Sequence, residues 1–101
     1  MTDKEFATKV INVVAEVTGV AVDDILGSTR RREVVDARVL VSLTLVDGQY
    51  WPPEIVAKVL GRDRVSVLHH LRQGRWALDH GDLSQYKRFK QHYELIKQQL
   101  Q

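Results

Sequence analysis

The chain has 101 residues, 44% of them apolar, and a formal net charge of +2, which suits one domain with a buried core and argues against disorder. The absence of cysteine excludes disulfides, thiol nucleophiles and thiolate metal sites. MTDKEF lacks the apolar stretch of a secretion signal and no later run is long enough to span a membrane, so a cytoplasmic location is expected.

Thr2 and Glu5 fit a capping box, and Phe6, Val10, Val13, Val14 and Val17 follow helical spacing up to Gly19. A short second helix is predicted over Val20 to Leu26, with Asp23 and Asp24 in its first turn, where carboxylates favour the positive helix end. Gly27-Ser28-Thr29 then opens a loop holding Arg30, Arg31 and Arg32. Asp36 is the expected cap of a third helix, Ala37 to Val46, with Val39, Leu40, Leu43 and Val46 inward. Val39 to Val46 is the only run that also suits a strand, and the cap and its length favour helix.

The stretch WPPEIVAKVLGRDRVSVLHHLRQGR, Trp51 to Arg75, holds the strongest local signals. Pro52 and Pro53 start a helix, because proline suits a first turn whose N–H groups lack intrahelical partners. Ile55, Val56, Val59 and Leu60 mark its inner face, and Gly61 stands where a left-handed C-cap is needed. Asp63 is placed to cap the next helix, which begins with Arg64, Val65 and Ser66, has Val67, Leu68 and Leu71 inward, and extends to about Asp79. Two helices joined by a short glycine turn make a helix-turn-helix, expected here over about residues 53–79. In that arrangement the first residues of the second helix meet base edges in the major groove. Beyond it, Asp82 and Gln85 repeat a capping pattern, and Tyr86, Phe89, Tyr93, Ile96 and Leu100 form one stripe of a final amphipathic helix. The expectation is an all-α domain of about six helices, with Trp51 and Trp76 in the core or at its rim.

GRDRVSVLHHLR resembles the segment Gly-Arg-Asp-His-Thr-Thr-Val-Leu-His of the C-terminal DNA-binding domain of DnaA, the bacterial chromosomal replication initiator. PPEIVAKVL resembles the helix that precedes that segment. Gly61, Arg62, Asp63, Val67, Leu68 and His69 match as they stand, and a weaker likeness runs from about Val10 to the C-terminus. Arg64, Val65 and Ser66 stand where the family has His, Thr and Thr, so the scaffold matches better than the base-reading positions. The resemblance implies a Trp-repressor-like fold that binds double-stranded DNA, with a role in replication initiation or regulation. It also implies an arginine of the Arg30–Arg32 loop in the adjacent minor groove, Arg38 on the backbone, and an inner position for His69.

The residue chemistry gives each assignment a plain rival. Arg64 can reach guanine O6 and N7, Ser66 can bond a base edge, and Val65 can touch a thymine methyl; a solvated first turn is the alternative. Arg62, Asp63 and the helix N-terminus are expected near phosphate, and so is His70. A narrow minor groove attracts arginine, while a solvated charge run is the other reading of Arg30, Arg31 and Arg32. Arg72 and Arg75 read as solvated charge. His69, His70, His80 and His92 lack the spacing of a metal site, no glycine is followed by the Lys-Ser or Lys-Thr of a phosphate loop, and no nucleophile elbow occurs. The expectation is therefore a non-enzyme without ATPase domain, metal, nucleotide or other cofactor. The alternative function is a helical protein-interaction module that has lost specific DNA binding, acting as a homodimer or on a replication protein.

Overall fold

Thr2 opens the first helix: its hydroxyl accepts the N–H of Glu5 at 3.1 Å in a computed structural model that describes residues 2–101. Helix α1, Asp3–Thr18, buries Ala7, Val10, Ile11 and Val14 on one face and ends at Gly19, whose φ of 76° is the left-handed cap that glycine takes without a Cβ clash. Helix α2, Val22–Leu26, is one turn long and is anchored by the fully buried Ile25.

Helix α3 runs Arg32–Leu43 and continues into a π turn, Thr44–Gly48. Its start corrects the expected cap at Asp36. The apolar face reaches back through Ala37 to Val34, and Glu33 supplies the first-turn carboxylate, so the helix begins four residues before Asp36. Every side chain from Ala37 to Leu45 is buried, which makes α3 the central helix with neighbours on all sides. That all-round covering is why Val39–Val46 shows no single stripe in the sequence.

Helix α4, Pro53–Leu60, starts at the second proline and buries Val56, Ala57 and Leu60, while Ile55 is exposed. It stops at Gly61, φ 65°, where the Arg62 N–H bonds the Ala57 carbonyl at 2.9 Å and the Gly61 N–H bonds that of Lys58 at 3.3 Å. This paired closure is a Schellman motif. Helix α5, Arg64–Asp79, is capped by the Asp63 carboxylate, which accepts the Ser66 N–H at 2.8 Å. It lies along α3 at close range: a Cβ added to Gly74 would sit 2.5 Å from Leu43 Cδ1 and 2.9 Å from Val39 Cγ1.

Helix α6, Ser84–Gln99, starts two residues after Asp82, from Leu83 and without a side-chain cap. Tyr93 and Ile96 are buried and Tyr86, Phe89 and Leu100 half-buried, so the stripe faces the molecule. Six helices around one apolar cluster make the fold all-α; no strand occurs among the described residues, and none of the described helices is long and apolar enough to cross a membrane. Trp51 packs on the core with its ring 6.2 Å from that of Phe6, whereas Trp76 lies on the surface.

Candidate nucleic-acid interface

The turn Gly61–Asp63 and the loop Gly27–Arg31 are remote in sequence and joined in space by one carbonyl. Arg38 Nη2 donates to the Gly27 carbonyl at 2.9 Å, and Arg62 Nη2 donates to the same oxygen. Arg38 completes its fan with Nε on the Ile25 carbonyl at 2.8 Å, Nη1 on Thr29 at 2.7 Å and Nη2 on Asp24 at 2.9 Å. A guanidinium offers its donors in a fixed plane, so four convergent carbonyls hold α2 and the loop in one conformation.

Two expectations change here. Arg38 is only 3% exposed, and its bonds satisfy backbone oxygens at the end of α2 and in the loop, so it organises the loop from beneath instead of meeting phosphate. Its place inside the apolar run Val34–Val46 was the available sequence signal for burial. Arg62 is half-buried and directed at Gly27, where it ties the turn to the loop.

The first turn of α5 carries Arg64 and Val65 on the surface, Val65 at 60% exposure, with Ser66 half-buried beside them. Arg64 has a solvent-exposed partner, with Nε 3.7 Å from Glu54 at the start of α4. Bonds from the Ser66 backbone and hydroxyl hold the Asp63 carboxyl below its usual pKa, so it stays ionised as a cap. The outward face continues through Leu68, His69 and Arg72, all exposed, while Val67, His70, Leu71 and Gly74 are buried.

The two histidines exchange their expected places. His69 is exposed, and His70 is buried with Nδ1 3.2 Å from the Ser42 hydroxyl of α3. Burial, then the charges of Arg38 and Arg62, lower the His70 pKa to about 4, so at neutral pH it has no charge to offer a phosphate. The step of 100° per residue puts only one of two adjacent histidines inward, and the sequence pattern left that choice to the register of α5 on α3.

Arg30, Arg31 and Arg32 are all exposed, but Arg32 is the first residue of α3 and not a loop residue. Arg31 is shared between Asp24 at 3.5 Å and Glu33 at 3.6 Å, whereas Arg30 and Arg32 have no ion pair among the described residues. Sequence reasoning missed the bidentate pair of Arg75 with Asp47, 2.6 and 3.0 Å, which links α5 to the π turn. No cluster of metal-ligating side chains occurs among the described residues. Comparisons of the chain with protein-family models, with curated proteins and with solved structures return no match.

Proposed function

We propose that the chain binds double-stranded DNA through a helix-turn-helix, α4 and α5, with the N-terminal turn of α5 in the major groove. Arg64, Val65 and Ser66 face the bases in this reading, and Arg30, Arg31 and Arg32 lie on the adjacent minor groove or backbone. The observation that supports it most is the shared Gly27 carbonyl, which couples a basic segment to the turn before the exposed start of α5. Two elements that must meet neighbouring grooves need a fixed relative position, and this bond supplies one.

The reading extends the likeness to the C-terminal domain of DnaA to a Trp-repressor-like topology, a cytoplasmic location, and a role in replication initiation or regulation without enzymatic activity. Because the His-Thr-Thr positions are replaced, the site preferred by that family is not bound with full specificity. The test is fluorescence anisotropy on a random duplex pool, wild type against Arg64→Ala, at several salt concentrations. Affinity that falls with salt, together with an enriched site whose preference relaxes in the variant, is the expected result. Absence of duplex binding at low salt would favour the helical protein-interaction module, for which the exposed Val65 and Leu68 on α5 provide an apolar surface.

A further inference from the structure

A groove lies between α3, α5 and α6, away from the start of α5. Arg30, Arg32, Trp76, Gln73 and Gln85 contribute to its lining, as do the half-buried rings of Tyr86 and Phe89. Its volume of about 450 Å³ falls inside the roughly 300–1,000 Å³ range of ligand sites.

Trp76 is the unusual member. It is 56% exposed, and the ring of His80 stacks on it with centroids 3.8 Å apart and planes 24° apart. An indole supported by a second ring is a flat, oriented platform, and leaving such a surface in water costs free energy that a stacked ligand would recover. Arg30 and Arg32 line the same cavity without ion pairs, and Asp36 is the only carboxylate on its lining. Gln73 and Gln85 add amide donors and acceptors. A flat aromatic face flanked by free guanidinium groups suits a planar base attached to a phosphate. A peptide hot spot, in contrast, needs a dry apolar pit, and this groove carries two arginines, two glutamines and an aspartate on its lining.

We propose that the groove between α3, α5 and α6 is a second nucleic-acid site that takes a single strand, stacking a base on Trp76 and holding its phosphates with Arg30 and Arg32. The site goes beyond the duplex reading and does not rest on it, but it draws on Arg30 and Arg32 as that reading does, so a single strand and a duplex compete for those two side chains.

The test is anisotropy of a fluorescein-labelled oligothymidylate, which forms no duplex, with tryptophan emission followed on unlabelled strand. Wild type binds at low salt with quenched emission. Trp76→Ala loses roughly five- to 150-fold in affinity, the equivalent of one base-aromatic stack, and loses most of the quenching. Its duplex affinity and helical circular dichroism stay at wild-type values, because the side chain is on the surface and alanine suits a helix. Replacing both Arg30 and Arg32 by Ala flattens the single-strand salt dependence by about 1.4, roughly 0.7 per phosphate. Wild-type affinity in Trp76→Ala overturns the proposal. So does loss of single-strand binding in Arg64→Ala, which would put the strand at the start of α5. Failure of the oligonucleotide to bind, with quenching by an acidic peptide instead, overturns it in favour of a protein site.

Discussion

Arg38 and His70 show how two polar side chains hold the centre of this molecule. Arg38 takes a charge into the interior and meets four carbonyl oxygens there. Leaving a buried acceptor unsatisfied costs about 1–3 kcal/mol. Arg38→Met fills much of the space but leaves the Ile25 and Thr29 carbonyls without a donor, while Gly27 keeps Arg62 and Asp24 keeps the Gly27 N–H, so it should destabilise by roughly 2–5 kcal/mol in urea unfolding, more than a surface arginine would. His70 is the buried acid-sensitive residue of this centre. Its pKa of about 4 in the fold lies below the unfolded value of 6.5, so between them the unfolded chain binds the extra proton. Stability is therefore complete above pH 6.5 and falls as pH drops towards 4, by about 3 kcal/mol at 1.36 kcal/mol per unit. His70→Gln keeps a hydrogen-bonding group without a titrating one. Its unfolding free energy should lose most of that slope over the same interval.

At the scale of helices, the caps and the glycine stops were legible because each rests on local chemistry. Thr2, Gly19, Pro53, Gly61 and Asp63 act within a turn of where they stand. What escaped depends on packing. The start of α3 is set by Val34 and Ala37 finding neighbours, and the start of α6 is reached without the carboxylate of Asp82. The inward faces of α4 and α5 are rotated enough to expose Ile55 and Leu68 and to bury Ala57 and His70, which composition alone does not rank. Of the candidate site, the exposed start of α5 and the basic loop were readable, whereas the tasks of Arg38 and Arg62 required knowing that Gly27 lies beside both. Gly74 sits where α5 meets α3, against Leu43 and Val39, both within the core. In a free helix alanine would be favoured by about 1 kcal/mol, but overpacking costs about 1–3 kcal/mol. Gly74→Ala should thus lower the melting temperature, whereas the same change on an open helix face would raise it.

For the whole molecule, the distribution of charge matters more than its sum of +2. Glu54, Asp24, Glu33 and Asp47 each face an arginine, which leaves Arg30, Arg32, Arg72 and Arg88 as outward guanidinium groups without ion pairs among the described residues, the first two of them in the segment proposed to meet DNA. A duplex held by about three phosphate contacts loses affinity with a log–log salt slope near −3. Arg62 separates two views of the interface. If it contacts phosphate, Arg62→Ala flattens the slope by about 0.9. Its bond to Gly27 instead predicts an unchanged slope with weaker affinity and a relaxed sequence preference, because the loop and the start of α5 no longer move as one body.

The bonds of Arg38 also imply an order of assembly. They close over 9 to 14 residues, whereas the bond from Arg62 to Gly27 spans 35. Short closures cost less chain entropy and form sooner, so α2, the loop and α3 can fold as a local unit before α4 and α5 arrive. The surface proposed to meet DNA then becomes complete only at the last long-range docking step. Until α4 and α5 have docked, the loop lacks the Arg62 bond to Gly27 and therefore the fixed offset on which the proposed two-groove reading depends.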